Sequence, residues 1–157
     1  MLRYICTFIA TVGYVGYLPR APGTWGSLVA LPLYFLLPQP LFLMSIPLLF
    51  VLGWVATYIL LKYDGSDRDP SYIVIDELYA MMAVFLVIPR RGGIVLSTFV
   101  GFVLFRFFDI LKPWPISAVD RYFKQRGPLG ASFGVMIDDF LAAALVYVLL
   151  SALVFLF

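Results

Sequence analysis

The stretch that decides the fold is Leu41–Leu61, with the sequence LFLMSIPLLFVLGWVATYILL. Its 21 residues carry no charge, and Lys62 follows directly. At a rise of 1.5 Å per residue, a helix of this length spans about 31 Å, which matches the hydrocarbon core of a bilayer. We therefore predict a transmembrane helix here.

The composition places the whole chain in a membrane. Of its 157 residues, 63% are hydrophobic and 13% are charged, whereas soluble chains carry about twice that share of charge. We predict an all-α, polytopic integral membrane bundle that forms one domain over residues 1–157. The chain has no histidine, and Cys6 is its single cysteine, so histidine nucleophiles, internal disulfides and cysteine metal clusters are excluded. We expect membrane lipid and no nucleic acid among its partners, and the oligomeric state is left open.

The other apolar segments differ in length, and their lengths predict different roles. Those too short to cross suggest short, re-entrant or interfacial helices, and the longer ones suggest further spans. The predicted segments are residues 1–18 (interfacial), Leu28–Leu37 (short or re-entrant), Ile73–Ile88 (a short span), Ile94–Phe108 (a returning span), Ile116–Phe123 (interfacial) and Phe133–Phe157 (the last span). A polar surface loop at Tyr63–Pro70 and a turn at Pro89–Gly93 separate them.

Acidic residues lie in or beside these apolar segments, where each ionised side chain costs roughly 2.5–3.5 kcal/mol at the bilayer centre. They are Asp76, Glu77, Asp109, Asp138 and Asp139. If the spans alternate in direction, all five reach one membrane level, and the segment Gly23–Ser27 reaches it too. Nine of the eleven basic residues fall on that face, against Arg90 and Arg91 opposite. The positive-inside rule predicts that this face is cytoplasmic.

A cluster of carboxylates without histidine or cysteine favours a hard cation, and Mg²⁺ suits it best. The five carboxylates are therefore candidate metal ligands. Salt bridges from single carboxylates to Arg106 or Lys112 are the structural alternative. An ion-coupled transporter with intramembrane carboxylates is the alternative function, and it predicts acids spread along a pathway.

Cations flank one of these acids. Arg106, Asp109 and Lys112 follow one another at three-residue steps, which places them near one helical face. Arginine and lysine beside a metal site favour an anionic ligand such as phosphate. The alternative is that Arg106 and Lys112 extend to the lipid headgroups.

The segment Pro22–Ser27 precedes an apolar helix, and Thr24 and Ser27 could help to hold phosphate at the positive helix end. Capping of that helix by either hydroxyl explains the same residues. A further match, Asp67–Ser71, fits the nucleophile loop of soluble haloacid-dehalogenase-type phosphatases. We reject it because that loop follows a buried strand, whereas this segment follows polar residues and precedes a membrane span.

Four blocks together resemble one family, the bacterial membrane-bound phosphatidylglycerophosphatase A proteins. The blocks are Pro22–Leu28 (PGTWGSL), Ile75–Glu77 (IDE), Arg106–Ile116 (RFFDILKPWPI) and Gly134–Asp139 (GVMIDD). The resemblance implies a Mg²⁺-dependent phosphatase of the bacterial inner membrane, with its active site facing the cytoplasm. Its substrate would be phosphatidylglycerophosphate and its product phosphatidylglycerol.

This resemblance assigns expected roles to residues. Asp139, Arg106 and Lys112 would act in catalysis, and Thr24 and Ser27 would bind the substrate phosphate with Arg106 and Lys112. Direct attack by water and a phospho-aspartate intermediate both remain open, as does the number of metal ions. The chain departs from the family pattern at Ala80, Ala143 and Ser132, where glycine is usual, but these small residues still allow close helix approach.

Overall fold

A computed structural model describes residues 1–64, 69–88, 90 and 94–156, without the side chains of Asp64 and residues 153–156. In these ranges the chain forms seven α-helices and one short 3₁₀-helix at Val15–Tyr17. The α-helices are α1 (Leu2–Ala10), α2 (Pro22–Leu36), α3 (Gln39–Asp64), α4 (Ile75–Val84), α5 (Ile94–Leu111), α6 (Ile116–Lys124) and α7 (Gly127–Leu156).

Three of these helices could span a membrane. Among the described residues, Gln39–Tyr63, Ile94–Leu111 and Gly127–Ala152 are long and apolar enough to cross a bilayer. The predicted all-α polytopic bundle is therefore confirmed. The loop predicted at Tyr63–Pro70 begins later, because α3 continues to Asp64. Residues 65–68 of that loop lie outside the described residues, as do residues 67 and 68 of the rejected Asp67–Ser71 match and all of the turn predicted at Pro89–Gly93 except Arg90.

Helix α4 lies at the centre of the bundle, packed against α2, α3 and α7. All but one of its first eight residues are buried, which explains the nearly continuous apolar sequence around the acidic pair. The helix is shorter than the span predicted at Ile73–Ile88, because turns replace it after Val84. Its 10 residues cover about 15 Å and cannot cross a bilayer.

Helices α2 and α4 run in the same direction. Gly23, near the start of α2, lies against Glu77 in the first turn of α4. At their other ends, the Tyr34 hydroxyl donates a hydrogen bond of 2.6 Å to the Ile88 carbonyl. Both helices therefore begin at what we call the site end of the bundle and run away from it.

The opposite end of the bundle is closed by Arg90. Its guanidinium donates a hydrogen bond of 2.8 Å to the Leu37 carbonyl, just past the end of α2. It also lies over the rings of Tyr34 and Phe42, at 4.9 and 5.4 Å from their centroids. Arg90 thus holds the ends of α2 and α4 to the start of α3, a role beyond its part in the charge bias of the sequence.

Several predicted boundaries were wrong, for local reasons. Residues 1–18 do not form one helix, because Val12, Gly13 and Tyr14 adopt positive φ angles of 52°, 65° and 70°. Helix α2 starts at Pro22 rather than near Leu28, since proline is well tolerated in the first turn of a helix. The segment Pro22–Ser27 is therefore helical.

Helix α7 begins at Gly127, earlier than the Phe133 predicted. Glycine at 134 lets α6 approach, because a Cβ there would lie 2.6 Å from the Phe123 Cβ. Asp138 and Asp139 consequently lie in the fourth turn of α7 and not in its early turns. The first turns of α7 extend past the carboxylates and pack on the amphipathic helix α6, whose predicted boundaries are confirmed to within a residue.

Candidate active site

Three of the five predicted carboxylates meet at the site end of the bundle. Asp76 and Glu77 come from the first turn of α4, and Asp139 comes from α7, which packs directly on α4. One oxygen of each carboxylate lies within 4.8 Å of the others. Asp76 and Asp139 are 6% and 3% exposed, so water screens the repulsion between their negative charges only weakly.

The chemistry of this group fits a hard cation. Among the described residues, Asp76 Oδ1, Glu77 Oε2 and Asp139 Oδ2 are buried and have no hydrogen-bond partner. Buried acceptors without partners cost free energy, and buried like charges repel. A divalent cation bound by oxygen ligands would relieve both effects. The role of these residues as metal ligands stays a prediction.

Arg106 lies beside this group on α5. Its Nη1 is 2.6 Å from Asp109 Oδ2 and 3.8 Å from Glu77 Oε1, and it donates to the Ser27 hydroxyl at 3.4 Å. The side chain is 14% exposed. It therefore points into the protein and not toward lipid headgroups. Asp109 is the ion-pair partner of this arginine, and its predicted role as a metal ligand stays a prediction.

Lys112 also points inward. Its ammonium group donates to Asp138 Oδ2 and lies 3.7 Å from Asp120 Oδ1. Burial opposes its charge, but the carboxylates of Asp138 and Asp139 outweigh burial and raise the pKa of Lys112 above its usual range. Lys112 is therefore a permanent cation near the site. Asp138 faces this lysine rather than the three-carboxylate group.

Two residues that the sequence analysis did not select extend the network. Lys124 lies 2.9 Å from Asp120 Oδ1 and 2.7 Å from Asp69 Oδ2, so it ties α6 to the segment before α4. Burial alone would raise the pKa of Asp120, but Lys124 and Lys112 lower it. The spacing of Asp120 and Lys124 by four residues was the available sequence signal. The contacts of Asp120 with Lys112 and of Lys124 with Asp69 join distant parts of the chain, so no sequence spacing indicates them.

The start of α2 touches the site through Gly23. A Cβ at this position would lie 1.9 Å from Glu77 Oε1 and 3.1 Å from an Arg106 guanidinium nitrogen. The Glu77 carboxylate occupies the space that a Cβ would need, so a side chain at position 23 would displace this carboxylate.

The hydroxyls predicted to bind phosphate differ in their placement. Ser27 is buried, donates to the Gly23 carbonyl at 2.9 Å and accepts from Arg106. Thr24 is half-buried in the same turn, and its side chain does not reach these groups in the described contacts. Neither hydroxyl caps α2, whose N-cap is Ala21 and which has no side-chain capping bond within the described chain. The capping alternative is therefore wrong.

The fold and the site together define a helical membrane protein with a buried carboxylate centre flanked by inward-pointing cations. The family model of phosphatidylglycerophosphatase A matches residues 8–154. The chain therefore belongs to the phosphatidylglycerophosphatase A family, and it is a phosphoric monoester hydrolase of lipid metabolism.

Individual relatives agree with this assignment. The chain is similar to phosphatidylglycerophosphatase A of Haemophilus influenzae, at 41% identity over 82% of this chain and 76% of the relative. It is similar to the Escherichia coli K12 protein of the same name, at 33% identity over 83% and 72%. A third relative, from Bacteroides thetaiotaomicron, is provisionally named a phosphatidylinositol-3-phosphatase and is 32% identical over 87% and 85%. No solved structure matches significantly.

Proposed function

We propose that this protein hydrolyses the terminal phosphomonoester of phosphatidylglycerophosphate to give phosphatidylglycerol, and that the reaction depends on Mg²⁺. The observation that carries this proposal is the buried Asp76–Glu77–Asp139 group beside Arg106. Carboxylate oxygens suit a hard cation, and a neighbouring guanidinium suits the phosphate that such a cation binds.

The residues divide the work by their chemistry. Asp76, Glu77 and Asp139 would hold Mg²⁺, which when bound neutralises phosphate charge and lowers the pKa of water. Arg106 pairs with the non-bridging phosphate oxygens. To do so, its guanidinium gives up part of its contact with the carboxylates of Asp109 and Glu77. Ser27 fixes the guanidinium by accepting its hydrogen bond. Asp109 keeps the arginine oriented through the ion pair one helical turn away.

Lys112 contributes a second positive charge. It is held near the carboxylates by Asp138 and Asp120, and its raised pKa keeps it protonated at all physiological pH values. A lysine ammonium group binds phosphate as a point charge. We therefore assign Lys112 to substrate binding, with Asp138 as the group that places it.

We place the site end at the cytoplasmic face of the bacterial inner membrane, on the basic-residue bias of the sequence. The test is labelling of introduced cysteines with an impermeant thiol reagent, after replacement of Cys6. Ser71→Cys, near the start of α4, should react only when the cytoplasmic side is opened, and Gln39→Cys should react in intact cells. The reverse pattern would invert the orientation.

The substrate is tested with purified protein in detergent. We expect inorganic phosphate to be released from phosphatidylglycerophosphate with a higher kcat/KM than from phosphatidic acid or phosphatidylinositol 3-phosphate, and EDTA should stop release. The phosphoinositide is included because of the name of the Bacteroides relative. A preference for either comparison lipid would reassign the substrate, and full activity in EDTA would remove the metal from the mechanism.

A further inference from the structure

An apolar groove of about 380 Å³ lies between α2 and α5. Helix α2 packs on α4, while α5 packs mainly on α7, so the outer faces of α2 and α5 leave a gap. The residues that line it are Leu28, Leu31, Phe35, Val95, Thr98, Phe99 and Phe102. Thr98, the one residue among them with a polar side chain, donates its hydroxyl to the Ile94 carbonyl, so the groove wall is apolar.

The groove begins next to the cationic part of the candidate site. Leu28 directly follows Ser27, whose hydroxyl accepts a hydrogen bond from Arg106. Phe102 precedes Arg106 by four residues, so it lies one turn away on the same face of α5. The apolar wall therefore meets the partly buried guanidinium of Arg106 at the site end of the bundle.

The two walls extend the same distance from that point. Leu28 to Phe35 on α2 and Phe102 to Val95 on α5 are each eight residues, and the seven steps between their ends cover about 10 Å of helix. They run in opposite chain directions, since α2 starts at the site end and α5 finishes there. The groove thus descends from the site by about a third of the roughly 30 Å hydrocarbon core.

A second apolar groove, of about 350 Å³, lies between α3 and α7 and is the rival position. On α7 it is lined by Ile137 and Phe140, which flank the carboxylates Asp138 and Asp139. The α2–α5 groove leads directly to Arg106, because Leu28 adjoins Ser27 and Phe102 lies one turn from Arg106. On α7, the residues that line the rival groove adjoin Asp138 and Asp139, and the Lys112 ammonium group there is bound to Asp138. The direct path to a cation therefore favours the α2–α5 groove.

We infer that the α2–α5 groove holds an acyl chain of the lipid substrate, with the phosphate end of that lipid at Arg106. This inference rests on the proposed phosphatase function. The groove would place a membrane-bound substrate by its chain, so that the phosphomonoester arrives at the three carboxylates in one orientation. Such placement of a non-reacting part of the substrate is a common use of binding energy by enzymes.

The test compares two substrates, long-chain phosphatidylglycerophosphate in mixed micelles and a water-soluble short-chain analogue. Leu31→Trp fills the groove, and Phe99→Ala removes part of its exposed wall; Phe99 is 64% exposed, so this second variant perturbs folding little. Val103→Trp is the matched control, because it adds a similar side chain at a 47% exposed position of α5 outside the groove.

We expect Leu31→Trp and Phe99→Ala to raise KM for the long-chain lipid about tenfold or more, while kcat and all constants for the short-chain analogue stay within about twofold. Val103→Trp should behave as the parent. If both groove variants matched the control with the long-chain lipid, the groove would hold only bulk lipid and the inference would be overturned. Absence of phosphate release by the parent from either substrate would instead overturn the proposed function.

Discussion

Gly23→Ala tests the geometry of the site at a single atom. The added Cβ would lie 1.9 Å from Glu77 Oε1 and 2.8 Å from Glu77 Cδ. Ordinary contact needs about 3.4 Å, so the carboxylate must retreat by about 1.5 Å. Because a misplacement of about 1 Å at a reacting centre can lower a rate about 100-fold, we expect kcat to fall by about that factor, or about 2.7 kcal/mol.

The same substitution should not unfold the protein. Gly23 has an ordinary helical conformation, and alanine favours helix over glycine by up to about 1 kcal/mol. We therefore expect an unchanged or raised Tm together with the loss of rate, measured by thermal unfolding and phosphate release on one preparation. Gly101→Ala is the control. Its Cβ would meet only apolar side-chain atoms, from α4, from the turn that follows α4 and from α7, at 3.1 Å or more. A Gly23→Ala enzyme with kcat within twofold of the parent would refute this account of Glu77.

Further predictions concern the cations. Arg106→Lys should lower kcat at least tenfold in steady-state assays despite its retained charge, because lysine cannot grip two phosphate oxygens; unchanged constants would remove Arg106 from the site. Lys112→Ala should chiefly raise KM, and an effect on kcat alone would contradict a binding role. Arg90→Ala should leave kcat near the parent value but destabilise the protein by about 2 kcal/mol, seen as a lowered Tm, because it removes a charged hydrogen bond and two ring contacts. An unaltered Tm would show that Arg90 does not hold the far end of the bundle.

The three long spans could be predicted because each is a long apolar run, whereas Ile73–Ile88 was wrongly predicted as a fourth. The common level of the acidic residues could be predicted from the alternating direction of the segments. Leu41–Leu61 has no charge for 21 residues, and little except a transmembrane helix satisfies such a run. Alternating spans then bring residues from distant parts of the chain to one level. That Asp76, Glu77 and Asp139 lie at one level follows from this threading, but their close contact does not.

Which three of the five carboxylates lie within 4.8 Å of one another could not be predicted, because it depends on helix rotation. Asp138 and Asp139 are adjacent and point about 100° apart, so one faces α4 while the other faces Lys112. Which one faces which is decided by packing of α7 on its neighbours. Asp109 likewise pairs with Arg106 because both lie on one face of α5.

The start of α7 was missed because its first turns contain Gly127, Pro128, Gly130 and Gly134, residues typical of loops. Here glycine allows close approach instead, since Gly134 lies against Phe123 of α6. Such an approach is invisible without the partner helix. The resulting α6–α7 hairpin carries Asp120 and Lys124, which explains why that part of the charge network was also missed.

The central claim is that Asp76, Glu77 and Asp139 form one Mg²⁺ site that drives phosphate release. The most direct measurement is the Mg²⁺ concentration for half-maximal phosphate release, compared among the parent, Asp139→Asn and Asp138→Asn. We predict that Asp139→Asn raises this concentration at least tenfold or abolishes release, whereas Asp138→Asn changes it much less because its carboxylate faces Lys112. Equal Mg²⁺ requirements in all three proteins, or release that persists in EDTA, would contradict the claim.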